Sequence, residues 1–330
     1  MRARDLGIHI GELEPGRYDA ITDVDGVRVG HTTLIEGDDV RTGVTVVVPR
    51  ELPLFAGAHT LNGNGELTGL EWVRESGFLT TPIAITNTFS VGVVRDAIAA
   101  AAANDDEWAL PVVGETYDGF LNDARGQHVT AEHARQALTD ARGGAVGEGN
   151  VGGGTGMICH GFKGGIGTAS RIATGYVVGV LVQANHGRRR RLRVNGIPIP
   201  SNSVLQGDEG GSSIIGIVAT DAPLLPHQCT RLAQRAGLGV GRMGGLGENS
   251  SGDIFFAFAT GNRTLGGGET PIEVRILPNE RIDPLFEAVV DATEEAILNA
   301  LLAAKTMTGR DGRTVEALDP LLLREALTRP

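Results

Sequence analysis

The stretch Gly207-Asp208-Glu209-Gly210-Gly211-Ser212-Ser213-Ile214-Ile215-Gly216-Ile217-Val218-Ala219-Thr220-Asp221 sets a polar, glycine-rich loop directly against an apolar, β-branched run. Flexible acidic chain gives way to buried strand within a few residues, and Ser212 and Ser213 stand on that border. A hydroxyl so placed can attack the carbonyl just before it. If that peptide bond opens, the serine becomes a new N-terminal residue that carries both a nucleophile and its own amine as base. Read from this segment by itself, either serine fits, and an ordinary turn fits too.

The rest of the chain limits the fold. At 330 residues it is long enough for one large domain or two modest ones, and 41% hydrophobic with 21% charged residues suits a globular protein. Aromatic residues make up only 4% while glycines number 49, so the core must come from Val, Ile, Leu and Ala, with many tight turns between elements. A formal charge of -11 argues against nucleic acid as a partner. The basic run Arg188 to Arg191, with Arg193, reads as a solvated hairpin tip. Two cysteines, Cys159 and Cys229, give no disulfide framework and suit a reducing compartment. No signal-peptide pattern and no apolar run of membrane-spanning length is visible, so a cytoplasmic location is expected, with no membrane partner.

Strands are expected at Gly26 to His31 (an edge strand), Val44 to Val48, Ile83 to Thr86, Tyr176 to Gln183, Ile214 to Thr220 and Ile254 to Ala259. Several are apolar at consecutive positions, as in sheets covered on both faces. Helices are expected from Val91 to Ala103, from Ala131 to Arg142 after the cap Thr130, after Asp221 as far as Gly237, and from Asp283 through Leu302. Helices and strands interleave without strict βαβ units, which favours an α/β fold, a four-layer α/β/β/α sandwich in a single domain over residues 1–330. Residues 197 to 212 form the best candidate for exposed, cleavable chain.

Most familiar site motifs are missing. The run from Gly147 to Gly156 lacks the Gly-Lys-Ser/Thr ending of a phosphate loop, and the eight histidines show no metal-ligand spacing. No metal and no cofactor is expected. There is no Gly-x-Ser-x-Gly elbow for a Ser-His-Asp triad. What recurs is polar side chains at strand ends. Ser251 and Asp253 precede the Ile254 strand, two apart and so on one face if extended. Glu115 and Tyr117 stand in the same relation after Leu110 to Val113, Lys163 lies among glycines, and Asn185 ends the strand from Tyr176.

These stretches resemble the family of the L-aminopeptidase/D-esterase and the β-peptidyl aminopeptidases, peptidase family S58. The resemblance is carried by Ile21 to Thr33, Pro111 to Asp123, Gly149 to Arg171, Val180 to Gly187, Ser212 to Gln228 and Ser251 to Phe258. It implies an N-terminal-nucleophile-hydrolase-like fold and a precursor that cuts itself before Ser213, with Ser212 donating the carbonyl. The products would be a 1–212 α chain and a 213–330 β chain. Ser212 stays the second candidate nucleophile, because relatives often carry Gly or Asn there. By the same resemblance Ser251 and Asp253 support the nucleophile, although some relatives have Glu in place of Asp253. Tyr117 and Asn185 stabilise the oxyanion, Glu115 meets the substrate's amino group, and Lys163 lies near the nucleophile. The activity implied is a serine aminopeptidase or amidase acting on short peptides, amides or esters with a free amino group, through an acyl-enzyme. A homotetramer of αβ units is implied as well. The rival readings are a self-processing acyltransferase of the ornithine acetyltransferase type and a non-catalytic glycine-rich binding protein.

Overall fold

In the computed structural model, which describes residues 1–102, 109–200, 213–266 and 270–328, the apolar run after Ser212 is a strand, Ser213–Thr220, buried at every position. The strands in chain order are β1 (Arg28–Glu36), β2 (Val40–Val48), β3 (Leu54–Gly63), β4 (Phe78–Leu79), β5 (Ile83–Asn87) and β6 (Val112–Thr116). They continue with β7 (Ile158–Cys159), β8 (Phe162–Lys163), β9 (Gly165–Ala173), β10 (Tyr176–Asn185), β11 (Arg193–Val194) and β12 (Ile197–Pro198). The last are β13 (Ser213–Thr220), β14 (Gly252–Ala259), β15 (Met307–Thr308) and β16 (Thr314–Val315). The helices are α1 (Leu70–Ser76), α2 (Val91–Ala102), α3 (Ala131–Thr139), α4 (Pro226–Arg242), α5 (Asp283–Ala303) and α6 (Pro320–Thr328).

Two sheets carry the fold, one ordered β1-β2-β5-β6 and the other β4-β3-β14-β13-β10-β9. Alternation along each strand separates three apolar layers. Ile215 and Ile217 of β13 face Ile83, Ile85 and Val112 of the four-stranded sheet. Ile214 and Val218 face the other way, toward Leu232 and Ala233 of α4 and Val289 and Ile297 of α5. On the far side, Val44, Val46 and Ala84 pack on Val94 and Ile98 of α2 and Ala134 of α3. The architecture is therefore the expected α/β/β/α sandwich, and β1 is the expected edge. Each fully buried Ile, Val or Phe contributes roughly 1.5–3 kcal/mol, which makes these three layers the main source of stability.

Three expectations need correction. Helix α4 does not stop at Gly237 but runs on to Arg242. Its Gly239 is there for packing: a Cβ would come within 2.7 Å of the Val290 carbonyl oxygen and 2.6 Å of Thr293 Cβ, so glycine lets α4 lie against α5. Helix α3 ends at Thr139, because Arg142 turns away to exchange two backbone hydrogen bonds with Val29 of β1, each 2.9 Å. The basic run is not a uniformly solvated tip. Arg189 is buried, with its guanidinium 3.9 Å from the Phe162 ring centroid and donating to the Gly161 carbonyl.

Helix α5 is buried on nearly all sides, including Asp291, Glu294, Glu295 and Asn299. Its polar groups are answered by the N-terminal segment and β9. Fully buried Arg171 donates from Nη2 to Glu295 Oε2 at 2.6 Å and to the Ile10 carbonyl at 2.7 Å. Arg4 reaches Glu295 at 3.1 Å, and Arg2 reaches Glu148 at 2.8 Å and Asp19 at 3.5 Å.

Candidate active site

The polar strand ends converge where β13 begins. Ser213 is paired across the sheet with Asn185, the last residue of β10, and with Gly252, the first of β14. Its side chain is 5% exposed, and its Oγ accepts the Gly252 backbone N–H at 3.2 Å. Residue 252 has to be glycine: a Cβ would stand 2.6 Å from the Asn64 carbonyl oxygen. Parallel pairing of β13 and β14 brings the residues after the Gly247–Ser250 turn beside Ser213 without any sequence proximity. Ser212 and the rest of 201–212 lie outside the described residues.

Ser251 Oγ donates to Asp253 Oδ1 at 2.6 Å, so the i, i+2 pair does share a face. A register shift opposite Asp253 and Ile254 leaves Leu61 as an extra residue on the neighbouring strand β3, a bulge of the kind that re-aims side chains at a strand end. Asp253 Oδ2 is buried with no hydrogen-bond partner among the described residues. Burial pushes the Asp253 carboxyl up to about 6; the Ser251 hydrogen bond opposes the shift and the Glu248 charge adds to it. A carboxylate that is destabilised but within reach of neutrality is suited to taking and giving a proton.

Asn185 accepts the Ile158 backbone N–H at 2.8 Å through Oδ1 and donates from Nδ2 to the Tyr117 carbonyl at 3.0 Å. One amide hydrogen is thereby used to hold the group in place, and an amide has a second to offer. The expected common face of Glu115 and Tyr117 is not found, since β6 ends at Thr116. Glu115 is buried, whereas the Tyr117 ring is half exposed, edge-on to Phe89, with its hydroxyl against Gly119. Glu115 Oε1 accepts the Glu66 N–H at 3.0 Å and Oε2 accepts the Thr88 hydroxyl. Burial raises the Glu115 pKa, and those two hydrogen bonds oppose the rise. Gly65 lies between Glu115 and Gly252: a Cβ there would stand 3.2 Å from Glu115 Oε1 and 3.0 Å from Gly252 Cα, so the acid sits close to the strand start that pairs with Ser213. A cleft of about 430 Å³ lined by Gly65, Glu66, Leu67 and Ile254 opens beside it, although Ser213 itself is not in the lining.

Lys163 is fully buried at the end of the β7–β8 hairpin. Its Nζ donates to the carbonyls of Met157 at 2.8 Å, Gly164 at 3.0 Å and Gly154 at 3.3 Å. Burial lowers its pKa to about 7, against the pull of Cys159 and Asp118.

The chain as a whole is similar to known proteins. A model of peptidase family S58 matches residues 19–315. The chain belongs to peptidase family S58. It is 48% identical to a β-peptidyl aminopeptidase of Sphingosinicella microcystinivorans over 99% of this chain and 92% of that one. Among solved structures, a Burkholderia sp. β-aminopeptidase is 55% identical with a TM-score of 0.92, covering 100% of both chains. The Ochrobactrum anthropi L-aminopeptidase D-Ala-esterase/amidase is 42% identical with a TM-score of 0.92, covering 99% of this chain and 98% of that one. That structure is described as a prototype of the serine aminopeptidases and a variant of the N-terminal-nucleophile hydrolase fold. The S58 chain is thus a hydrolase, a serine aminopeptidase with that fold, and neither the acyltransferase nor the non-catalytic reading finds support.

Some groups around this S58 site escaped the sequence. Asp118 is fully buried beside Tyr117, accepts from Asn122 Nδ2 at 3.1 Å, and is pushed up to about 7 by burial. Thr88, which holds Glu115, had no signal beyond following a strand. The neighbours Cys159 and His160 are brought together with His186, 26 residues further on, and all three are buried.

Proposed function

We propose that the chain cuts its own backbone before Ser213 and then works as an aminopeptidase with Ser213 as its N-terminal nucleophile. The carrying observation is that Ser213 starts a buried strand with the Gly252 N–H on its Oγ and the Ser251–Asp253 pair one strand away. In maturation Ser213 Oγ attacks the Ser212 carbonyl, and water opens the resulting ester to leave a 1–212 α chain and a 213–330 β chain folded as one domain. The freed α-amine has an ordinary pKa of about 7.7–8.0, so a useful fraction is neutral and can accept the Oγ proton. No histidine is required for this activation.

Ser251 and Asp253 orient that amine and relay its proton. The second Nδ2 hydrogen of Asn185 and the Tyr117 hydroxyl donate to the tetrahedral oxyanion, each worth about 3 kcal/mol when well placed. Glu115, as carboxylate, receives the substrate's ammonium and confines cleavage to the N-terminal residue. Lys163 is a positioning residue: its three carbonyl contacts fix the hairpin whose Ile158 N–H holds Asn185.

The substrates are short peptides, amides or esters with a free amino end and a small first side chain, β-amino residues included, as the relatives' names support. No cofactor takes part. A homotetramer of αβ units, on the strength of the sequence resemblance, and a cytoplasmic location, which two free cysteines suit, complete the reading. The test compares α-alanyl and β-alanyl anilides with their N-acetylated forms, with mass spectrometry of the quenched enzyme. Turnover of the free-amine substrates only, with an acyl group on Ser213, is expected. Equal hydrolysis of the acetylated anilides would remove the role of Glu115, and an acyl group elsewhere would remove that of Ser213.

A further inference from the structure

The β7–β8 hairpin and the end of β10 bring Cys159, His160 and His186 together, with one ligand-capable atom of each within 4.8 Å of the others. All three side chains are buried, at 0%, 0% and 2% exposure. We propose that they form a binding site for a single zinc ion, independent of the hydrolytic residues. The His160 ring is set up as a ligand usually is. His160 Nδ1 faces the Arg188 carbonyl at 3.2 Å, the kind of contact that fixes the tautomer and leaves the other nitrogen's lone pair free. Its Nε2 has no partner among the described residues, and neither does His186 Nε2. Cys159 Sγ stands 3.9 Å from His186 Nδ1.

A tetrahedral zinc with one sulfur and two nitrogens holds its donors roughly 3.3–3.6 Å apart, so the three groups need to close by only a little. Thiolate and imidazole select zinc over calcium or magnesium, which take oxygen donors. The fourth position falls to a water or to Glu248, whose charge already acts on His160. Binding is balanced by loss of the thiol proton: Cys159 S–H and Zn²⁺ give a sulfur–zinc bond and a proton released to solvent. Beyond the weak sulfur–nitrogen contact and the edge-on packing of the two rings at 5.2 Å, Nε2 of each histidine is orphaned in the interior, a cost that ligation through that atom would remove. Occupation would also tie Cys159 of the hairpin to His186, the residue after Asn185, and so stiffen one wall of the active site.

The experiment uses full-length, untagged, chelator-treated enzyme. Equilibrium dialysis against micromolar zinc with elemental analysis should give one zinc per chain, and the unfolding midpoint should rise by roughly 5 °C. Cys159→Ser and His160→Asn should each fall below one-fifth of an equivalent and lose the midpoint shift, while Cys229→Ser keeps both. Cobalt substituted for zinc should show a sulfur-to-metal absorption band. Wild-type protein that takes up less than one-fifth of an equivalent overturns the site. So does bound cobalt without the sulfur band, which needs no variant to fold, or zinc uptake unchanged in the variants, which would mark an adventitious ion only.

Discussion

Under α5, Arg171 meets Glu295 at 2.6 Å and Asp19 at 3.6 Å, and Arg2 and Arg4 close the group from the surface. At the head of β13, Asp253 and Glu115 are also buried, but no cation pairs with either among the described residues. Asp253 has a serine hydroxyl, and Glu115 has a threonine hydroxyl and a backbone N–H. Both regions sequester acids from water, at a cost that only partners can offset. The first spends its cations on tying the N-terminal segment, β9 and α5 together. Even there, burial and the neighbouring Glu295 raise Asp19 to about 7, with Arg2 opposing. The second leaves its acids able to change protonation. Buried charge with a matched cation reads as structure, and buried charge without one reads as chemistry.

The comparison is sharpened most by Ser213→Ala. The expected result is one uncut chain with aminopeptidase activity down by at least about 10⁴-fold and an unchanged circular dichroism spectrum. Next is Arg171→Met, which strands Glu295 without its buried partner. A stability loss of about 3–5 kcal/mol in urea unfolding is expected, with normal turnover per folded molecule. A stable Arg171→Met enzyme with impaired kcat would reverse the assignment of the two regions.

Asp253→Asn should reduce kcat by about 100-fold. The wild-type acid limb offers a second reading of the same group. Because Asp253 is neutral below about 6, activity should fall as pH drops through 6, and the Asn variant should lack that limb. The smallest effect concerns Asp118, whose folded pKa of about 7 lies above its unfolded value of 3.8. Its contribution to stability is complete below 3.8 and lost as pH rises through 7, since the fold favours the neutral acid. Asp118→Asn should therefore melt progressively higher relative to wild type between pH 4 and pH 8; a pH-independent difference would mean the acid is not desolvated.

Strands β2, β5, β10, β13 and β14 were legible because Val, Ile and Phe at consecutive positions leave few other uses for such runs; β3 and β9, whose apolar residues are interrupted by Gly, Thr, Ser and His, were not. The end of α4 was not, since Gly237 reads as a stop until the packing of Gly239 on Thr293 is seen. The Ser251–Asp253 pair could be read from strand periodicity, whereas Glu115 and Tyr117 could not, because β6 ends between them. Asp118 and the Cys159–His160–His186 group depend on long-range pairing that no local pattern encodes.

Intact-mass analysis of freshly purified protein, with N-terminal sequencing of the smaller piece, tests the central claim most directly. The account predicts two chains, the shorter beginning at Ser213. A single chain of 34.5 kDa that hydrolyses free-amine anilides at full rate would contradict it.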